Sequence, residues 1–221
     1  MIRKQIKRTY RISKYIFYKE TLIDFKENFW TFLGAFFCIG VIAFIQGVYF
    51  TESDNLFLIG SFGASSVLIY GVIQSPLAQP RNLVGGHLVS ALTGVTIAQI
   101  LPDIVWLTAP FAVSLSVIAM QHTKTLHPPG GATALIAVTG SAKIKALGYL
   151  YVVFPVLTGV IILLLVALIV NNMTSHRKYP TDGHFSRNFK RITDPIRQQS
   201  QKIKEKRINL TTRNNKEKGS H

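Results

Sequence analysis

One stretch, His127-Pro128-Pro129-Gly130-Gly131, combines residue types that could bind an anion. Two prolines at a helix start cost little, because the first N–H groups of a helix have no intrahelical partner. We therefore expect a helix that begins near Pro128 or Pro129, with His127 beside its N-terminus. Unpaired N–H groups and the positive end of the helix dipole favour an anion at that point. The alternative is a structural helix break in which His127 only satisfies a backbone carbonyl.

Two earlier stretches supply further polar groups. Ser61 and Ser65 either pack helices closely, as small residues do in membranes, or line a polar path opposite the proline-glycine stretch. Arg81 either anchors a span at lipid headgroups or draws an anionic solute into a mouth. His87 lies in an apolar run, where an ionisable side chain is a functional candidate, although a neutral histidine bonded to a neighbouring helix is the other interpretation. The predicted solute-binding residues are Ser61, Ser65, Arg81, His87, Lys124, His127, Pro128, Pro129, Gly130, Gly131 and Thr133.

Acidic residues are missing from the predicted spans of this sequence, because Glu52, Asp54 and Asp103 fall in the connections. Cation carriers and many proton-coupled carriers need a carboxylate in the path. The pattern favours an anion or a neutral solute, with histidines as the proton-exchanging groups. The histidines could also bind zinc, but no acid within the spans could act as a base. We therefore expect no enzyme activity, no metal and no cofactor.

Charge is divided unevenly along the 221 residues, whose formal net charge is +15. Residues 1–27 carry eight Lys or Arg against three acids, and residues 172–221 carry thirteen against four. Such basic ends predict contact with anionic lipid headgroups and a cytoplasmic location for both termini. Neither end holds a recognisable nucleic-acid-binding module, so no nucleic acid is expected as a partner. We expect a basic N-terminal segment (1–27), a transmembrane domain (28–171) and a basic tail (172–221) that is disordered or helical.

Apolar runs predict an all-α protein of the cell membrane with about six crossings, five full-length and one short. The long spans are Trp30–Phe50, Asn55–Ile73, Leu83–Leu101, Ile104–Gln121 and Ala146–Val170. The short run, Gly130–Ser141, would cover about 18 Å, less than the ~30 Å hydrocarbon core. Counting it as a crossing gives the even number that two cytoplasmic ends require.

The sequence also repeats itself. Gly63–Leu68 resembles Gly131–Ile136, and the four letters at Leu92–Val95 recur at Leu157–Val160. Each copy would hold three crossings, so the second copy would enter from the opposite side, as in inverted-repeat transporters. This topology places Lys143 and Lys145 outside, where positive charge is disfavoured. The alternative is chance similarity between membrane helices rich in small residues.

These stretches resemble a known family. His127–Ala134 is similar to the motif after which the HPP family of integral membrane proteins is named, and Gly60–Ser65, Ser75–Asn82 and Gly85–His87 resemble that family in the same order. The resemblance covers about residues 28–171. The family is usually described with four spans, and its plant and cyanobacterial members are associated with nitrite transport. The resemblance therefore implies a role in small-anion transport.

The patterns together lead to the hypothesis of a membrane transporter or channel for a small inorganic anion, with nitrite as the first to test. Cations at one end would attract the ion, and the helix start with the hydroxyl groups would bind it. Two alternatives stay open, a non-transporting scaffold or sensor and, less favoured, an intramembrane metalloenzyme. Membrane lipids and the anionic solute are the expected partners, and a homo-oligomer is an open option.

Overall fold

The computed structural model describes residues 24–49, 60–174 and 176–181, and within these residues it is helical without a strand. The α-helices are α1 (Phe25–Tyr49), α2 (Gly60–Ser66), α3 (Pro80–Ile100), α4 (Val105–His122), α5 (Pro128–Thr139), α6 (Ala142–Ala146) and α7 (Thr158–Val170). A π-helical segment, Val67–Gly71, continues α2, and another, Val152–Leu157, leads into α7. A 3-10 turn covers Pro76–Ala78.

Four helical stretches in the described residues are long and apolar enough to cross a bilayer. They are Phe25–Val48, Pro80–Ile100, Val105–His122 and Val152–Val170. Their outward faces carry large apolar side chains, among them Phe32, Trp106 and Leu165, which suits contact with lipid tails. Within the described residues the predicted all-α membrane architecture is confirmed, with four long spans, and the predicted total of about six crossings stays a prediction.

The start of α1 lies earlier than the predicted Trp30. The Asp24 carboxylate accepts hydrogen bonds from the backbone N–H groups of Lys26 (2.9 Å) and Glu27 (3.4 Å), which caps the helix before the apolar run begins. A span predicted from apolar residues misses this charged first turn. Part of the predicted span Asn55–Ile73 falls outside the described residues, and its described part is helical from Gly60 to Gly71.

The last predicted span, Ala146–Val170, begins later than expected. Gly148 adopts a positive φ of 51°, so a turn separates α6 from the final span. The backbone also leaves the helical region at Phe154, directly before Pro155. The first residues of the predicted span therefore form a turn, and the long helical stretch starts at Val152.

Helix α3 carries much of the packing, since it contacts α4, α5, α7 and the π-helical segment before α7. Glycine permits the closest approaches. A Cβ on Gly94 would lie 2.6 Å from the Ala134 carbonyl oxygen of α5. A Cβ on Gly159 of α7 would collide with the Phe62 ring of α2. Helix α2, in the first half of the chain, thus packs on Gly159 of α7 in the second half. Helix α5, in the second half, packs on Gly94 of α3 in the first.

Beyond α7, a short segment that we call the strap, residues 176–181, returns to the bundle. The buried Arg177 guanidinium donates to the backbone oxygens of Tyr70 (2.6 Å) and Glu27 (3.3 Å). Tyr179 donates its hydroxyl to the Ala78 oxygen at 2.7 Å. The packed part of the chain therefore extends past residue 171, where we expected the tail to begin.

Candidate functional site

Four predicted site residues lie together in one buried chain of hydrogen bonds, which we call the polar chain. The Ser65 Oγ of α2 lies 2.7 Å from His87 Nε2 of α3 and 2.9 Å from His127 Nε2, at the cap of α5. His87 Nδ1 lies 2.7 Å from Thr133 Oγ1, and His127 Nδ1 lies 2.8 Å from the Leu77 oxygen. The four side chains are fully buried.

The polar chain has a defined direction when both imidazoles are neutral. The Leu77 oxygen can only accept, so His127 Nδ1 carries the proton and its Nε2 is an acceptor. Ser65 therefore donates to His127 and must accept from His87 Nε2–H. His87 Nδ1 is then an acceptor for the Thr133 hydroxyl. Every bond donates toward Leu77, and no ring nitrogen is left without a partner.

Close helix packing holds the rings in place. A Cβ on Gly86 of α3 would collide with the Cβ of His127, so this glycine lets the second histidine approach α3. The Phe62 ring packs edge-on against His87, with ring centroids 5.8 Å apart. The Tyr151 hydroxyl donates to the Thr133 backbone oxygen at 3.1 Å. The two histidine ring centroids are 5.0 Å apart.

The helix begins at Pro128, as predicted, with His127 at its cap. Pro128 is exposed and Pro129 is buried. The Gly130 N–H donates to the His127 oxygen at 2.8 Å, and a Cβ on Gly130 would lie 2.7 Å from Ser90 Oγ. Gly131 is half-buried. Gly130 thus serves close packing against α3, and anion binding by these backbone groups stays a prediction.

The remaining predicted residues lie outside the polar chain. The Ser61 hydroxyl is buried and has no hydrogen-bond partner among the described residues. Arg81 lies in the first turn of α3 and donates to the Thr123 oxygen at 3.1 Å. Lys124 is exposed, with a positive φ of 56°, in the turn that precedes α5. Arg81 and Lys124 therefore lie at one end of the bundle, beside the loop that leads to His127.

A cavity of about 120 Å³ opens at the opposite end. Its lining includes Gln99 of α3, Thr108 of α4 and Tyr151. Lys145, also in the lining, forms a salt bridge of 2.7 Å with Asp103. Tyr151 also donates to the Thr133 backbone oxygen, so this residue connects the cavity lining with the end of the polar chain opposite to Leu77.

Tyr151 and the Leu77 carbonyl were not among the predicted site residues. A tyrosine near a span start is typical of the membrane interface, so its type alone gives no signal of a buried role. A backbone carbonyl has no signature in the sequence. Among the described residues no group of three or more His, Cys, Asp or Glu side chains is close enough to hold a metal ion.

Comparisons with known proteins agree on the class of protein. The family model described as "HPP, transmembrane region" matches residues 20–180. A transmembrane protein of Dictyostelium discoideum is 46% identical over 160 residues, which cover 71% of this chain and 51% of the relative. A second transmembrane protein of that organism is 47% identical over 163 residues, 71% of this chain and 56% of the relative.

This chain thus spans about half the length of the curated relatives it matches. No solved structure matches it. The family model covers more than half of the chain, and its bounds extend past the predicted domain, 28–171, on both sides. The chain belongs to the HPP family of integral membrane proteins.

Proposed function

We propose that this protein is a transporter or channel for a small inorganic anion such as nitrite. The observation that carries the proposal is the polar chain, which joins α2 and α5 inside a bundle of membrane-spanning helices. Burying four polar side chains in such a bundle is costly, and ionisable residues there are commonly functional. Packing alone would be served as well by apolar side chains.

Groups suited to a path lie in sequence along α3. At 1.5 Å per residue, Arg81 lies about 9 Å from His87 in one direction and Gln99 about 18 Å in the other. Arg81 and Lys124 attract anions at the first end, and at the second end Lys145 lines the cavity together with Asp103, its salt-bridge partner. In the described spans the one acidic residue is Glu27, in the first turn of α1. This distribution of charge favours an anion over a cation.

Two further features of the proposal concern symmetry and crossings. The repeated positions Ser65 and Thr133 both lie in the polar chain, each bonded to His87. Gly94 and Gly159, which occupy equivalent positions in the sequence repeat, each pack against a short helix from the other half of the chain. This exchange supports an inverted repeat, with α2 and α5 as half-helices that complete about six crossings.

Orientation follows from charge. The proposed location is the cell membrane, with both basic termini on the cytoplasmic side and Arg81 facing the cytoplasm. On that assignment Lys143 and Lys145 face outward. Pairing with Asp103 reduces the net positive charge of that loop.

Flux through purified protein tests the proposal. Protein in liposomes should admit nitrite, nitrate or formate faster than empty liposomes do. The variant His127→Gln should lower this flux at least about tenfold, because it replaces the ring that makes two bonds of the polar chain, worth about 1 kcal/mol each. Ser66→Ala is the matched control, because Ser66 is also buried on α2 but donates only to the Phe62 oxygen. Wild-type flux no greater than that of empty liposomes for all three anions would remove the transport proposal and favour the scaffold or sensor alternative.

A further inference from the structure

The polar chain can bind one additional proton while every donor keeps an acceptor, which a network with fixed hydrogens cannot do. With both imidazoles neutral, each of its four bonds uses one hydrogen and all point toward Leu77. The Thr133 hydroxyl has a second acceptor within reach, the Pro129 oxygen at 3.4 Å. That spare acceptor makes a second arrangement of hydrogens available.

An added proton on His87 is accommodated without moving a heavy atom. Its lone pair at Nδ1 takes the proton, and the new N–H donates to Thr133 Oγ1. The Thr133 hydroxyl then turns to the Pro129 oxygen, and the bonds through Ser65 stay as they were. Every donor in the cationic form still has an acceptor.

The same proton is accommodated on His127. His87 Nε2 gives its proton to Ser65 Oγ while the Ser65 hydroxyl gives its own proton to His127 Nε2. After the transfer His127 donates to Ser65 and to the Leu77 oxygen, and Ser65 donates back to His87. One proton has moved between the rings, and the serine keeps one hydrogen throughout.

A second added proton does not fit. Both rings would then donate to Ser65 Oγ, and the serine hydroxyl would lose its acceptor. Two positive rings with centroids 5.0 Å apart would also repel each other strongly in a buried site. The polar chain therefore holds either no added proton or one.

Among the residues that the structure describes, the neighbours of the polar chain supply no counter-ion for the added charge. Tyr151 is the titratable neighbour with a hydrogen bond to the polar chain, through the Thr133 backbone. The ring facing His87 from α2 is the apolar Phe62. Arg81 bonds the Thr123 oxygen at the end of the bundle, and Lys145 pairs with Asp103 at the cavity. A buried imidazolium in these surroundings is stable only when an anion accompanies it.

We propose that Ser65 passes one proton between His87 and His127, and that this proton crosses the membrane together with one anion. The inference rests on the proposed function and names its coupling: the substrate pair is a proton and a monovalent anion moving in the same direction. The proton comes from water on one side, and His127 gives a proton from Nδ1 to water on the other side once its bond to the Leu77 oxygen opens. Transport is then electrically neutral.

Liposomes loaded with a pH-sensitive dye test this coupling. An inward gradient of nitrite or nitrate at equal pH and equal K⁺ should acidify the lumen by one proton per anion, and valinomycin should not change the rate. Nitrous and formic acids cross lipid unaided, so empty liposomes are subtracted, and nitrate is measured in parallel.

Substitutions of Ser65 test whether this serine transfers the proton. Ser65→Ala should lower the anion-driven acidification at least about tenfold, since it removes the hydrogen bonds that join the two rings. Ser66→Ala, one residue away and outside the polar chain, should leave it unchanged. If Ser65→Ala fails to give a single gel-filtration peak, Ser65→Cys takes its place, and its weaker donor should give an intermediate rate.

The outcomes separate the two proposals. Wild-type anion flux that occurs without acidification and is accelerated by valinomycin overturns the proton coupling and leaves anion transport standing. A folded Ser65→Ala with wild-type acidification overturns the transfer through Ser65. Absence of flux for nitrite, nitrate and formate in the wild type overturns both.

Discussion

The polar chain and the strap are two buried polar networks that differ in the groups that accept their hydrogen bonds. In the polar chain, three of the four main bonds join side chains that can each donate or accept, as Ser65 does with both histidines. At the strap, Arg177 and Tyr179 donate to backbone oxygens, which can only accept. The bonds of Arg177 and Tyr179 therefore have one arrangement of hydrogens, whereas the polar chain has several. A fixed network stabilises the fold, and a reversible one can move a proton.

Among the variants that test this difference, Arg177→Ala is expected to have the largest effect on the free energy of unfolding. Burial lowers the pKa of the Arg177 guanidinium and the Glu27 carboxylate raises it, and the group stays charged at working pH. Its removal leaves the buried Tyr70 oxygen without this donor and should lower the free energy of unfolding by about 3 kcal/mol. Denaturant titration in detergent measures the loss.

The exposed Lys178 is the control for that variant, and Lys178→Ala should stay within about 0.5 kcal/mol of wild type. Flux per folded Arg177→Ala molecule should be unchanged. A large change in proton coupling at wild-type stability would erase the distinction between the two networks.

Gly86→Ala should have the next largest effect. Its new methyl group would collide with His127 and lie 2.8 Å from the Thr125 oxygen, so the cost should be about 2 kcal/mol. Because His127 must shift, anion flux should also be lost in the folded fraction. Gly40→Ala is the matched control: a Cβ there meets no atom within 4 Å, and alanine favours the helix by about 1 kcal/mol. Normal flux in Gly86→Ala would show that the ring position is not critical.

Thr133→Val tests the end of the polar chain. It keeps the shape of the side chain and removes the donor to His87 Nδ1, at a cost of about 1.5 kcal/mol. The proton-coupled flux should fall much more than the stability does. Thr139→Val, on the exposed side of the same helix, should affect neither. Equal flux in the two variants would argue that Thr133 serves only packing.

The smallest difference is expected between two tyrosines, one in each network. Tyr151→Phe and Tyr179→Phe each remove one hydroxyl that donates to a backbone oxygen, so each should cost about 1 kcal/mol. Only Tyr151→Phe should alter flux, because Tyr151 lies between the cavity and Thr133. Liposome flux normalised to folded protein separates the two, and matching flux changes would contradict the comparison.

Much of this architecture could be predicted from sequence because its signals are local. The lengths of the apolar runs predicted the ends of α3 and α4 to within three residues. The prolines predicted the helix start at Pro128. Capping by Asp24 and the turn at Gly148 shifted two other span starts, since neither feature alters average hydrophobicity.

The site was predictable in its residue types and not in its connections. Ser65, His87, His127 and Thr133 were all expected to bind solute, yet their bonds join positions 22 to 62 residues apart. Such pairing depends on how α2, α3 and α5 pack, which no local pattern encodes. The contacts of the Leu77 carbonyl and of Tyr151 with the polar chain were not predicted for the same reason.

The exchanged short helices have a consequence for biosynthesis. Phe62 of α2 packs on Gly159 of α7, which leaves the ribosome after α2 to α6. Helix α2 can contact α1 and His87 of α3 while the earlier helices are being inserted, but its packing on Gly159 is then still missing. Its packing is complete only after α7 has entered the bilayer, so the first half of the bundle finishes assembling after the second half is synthesised.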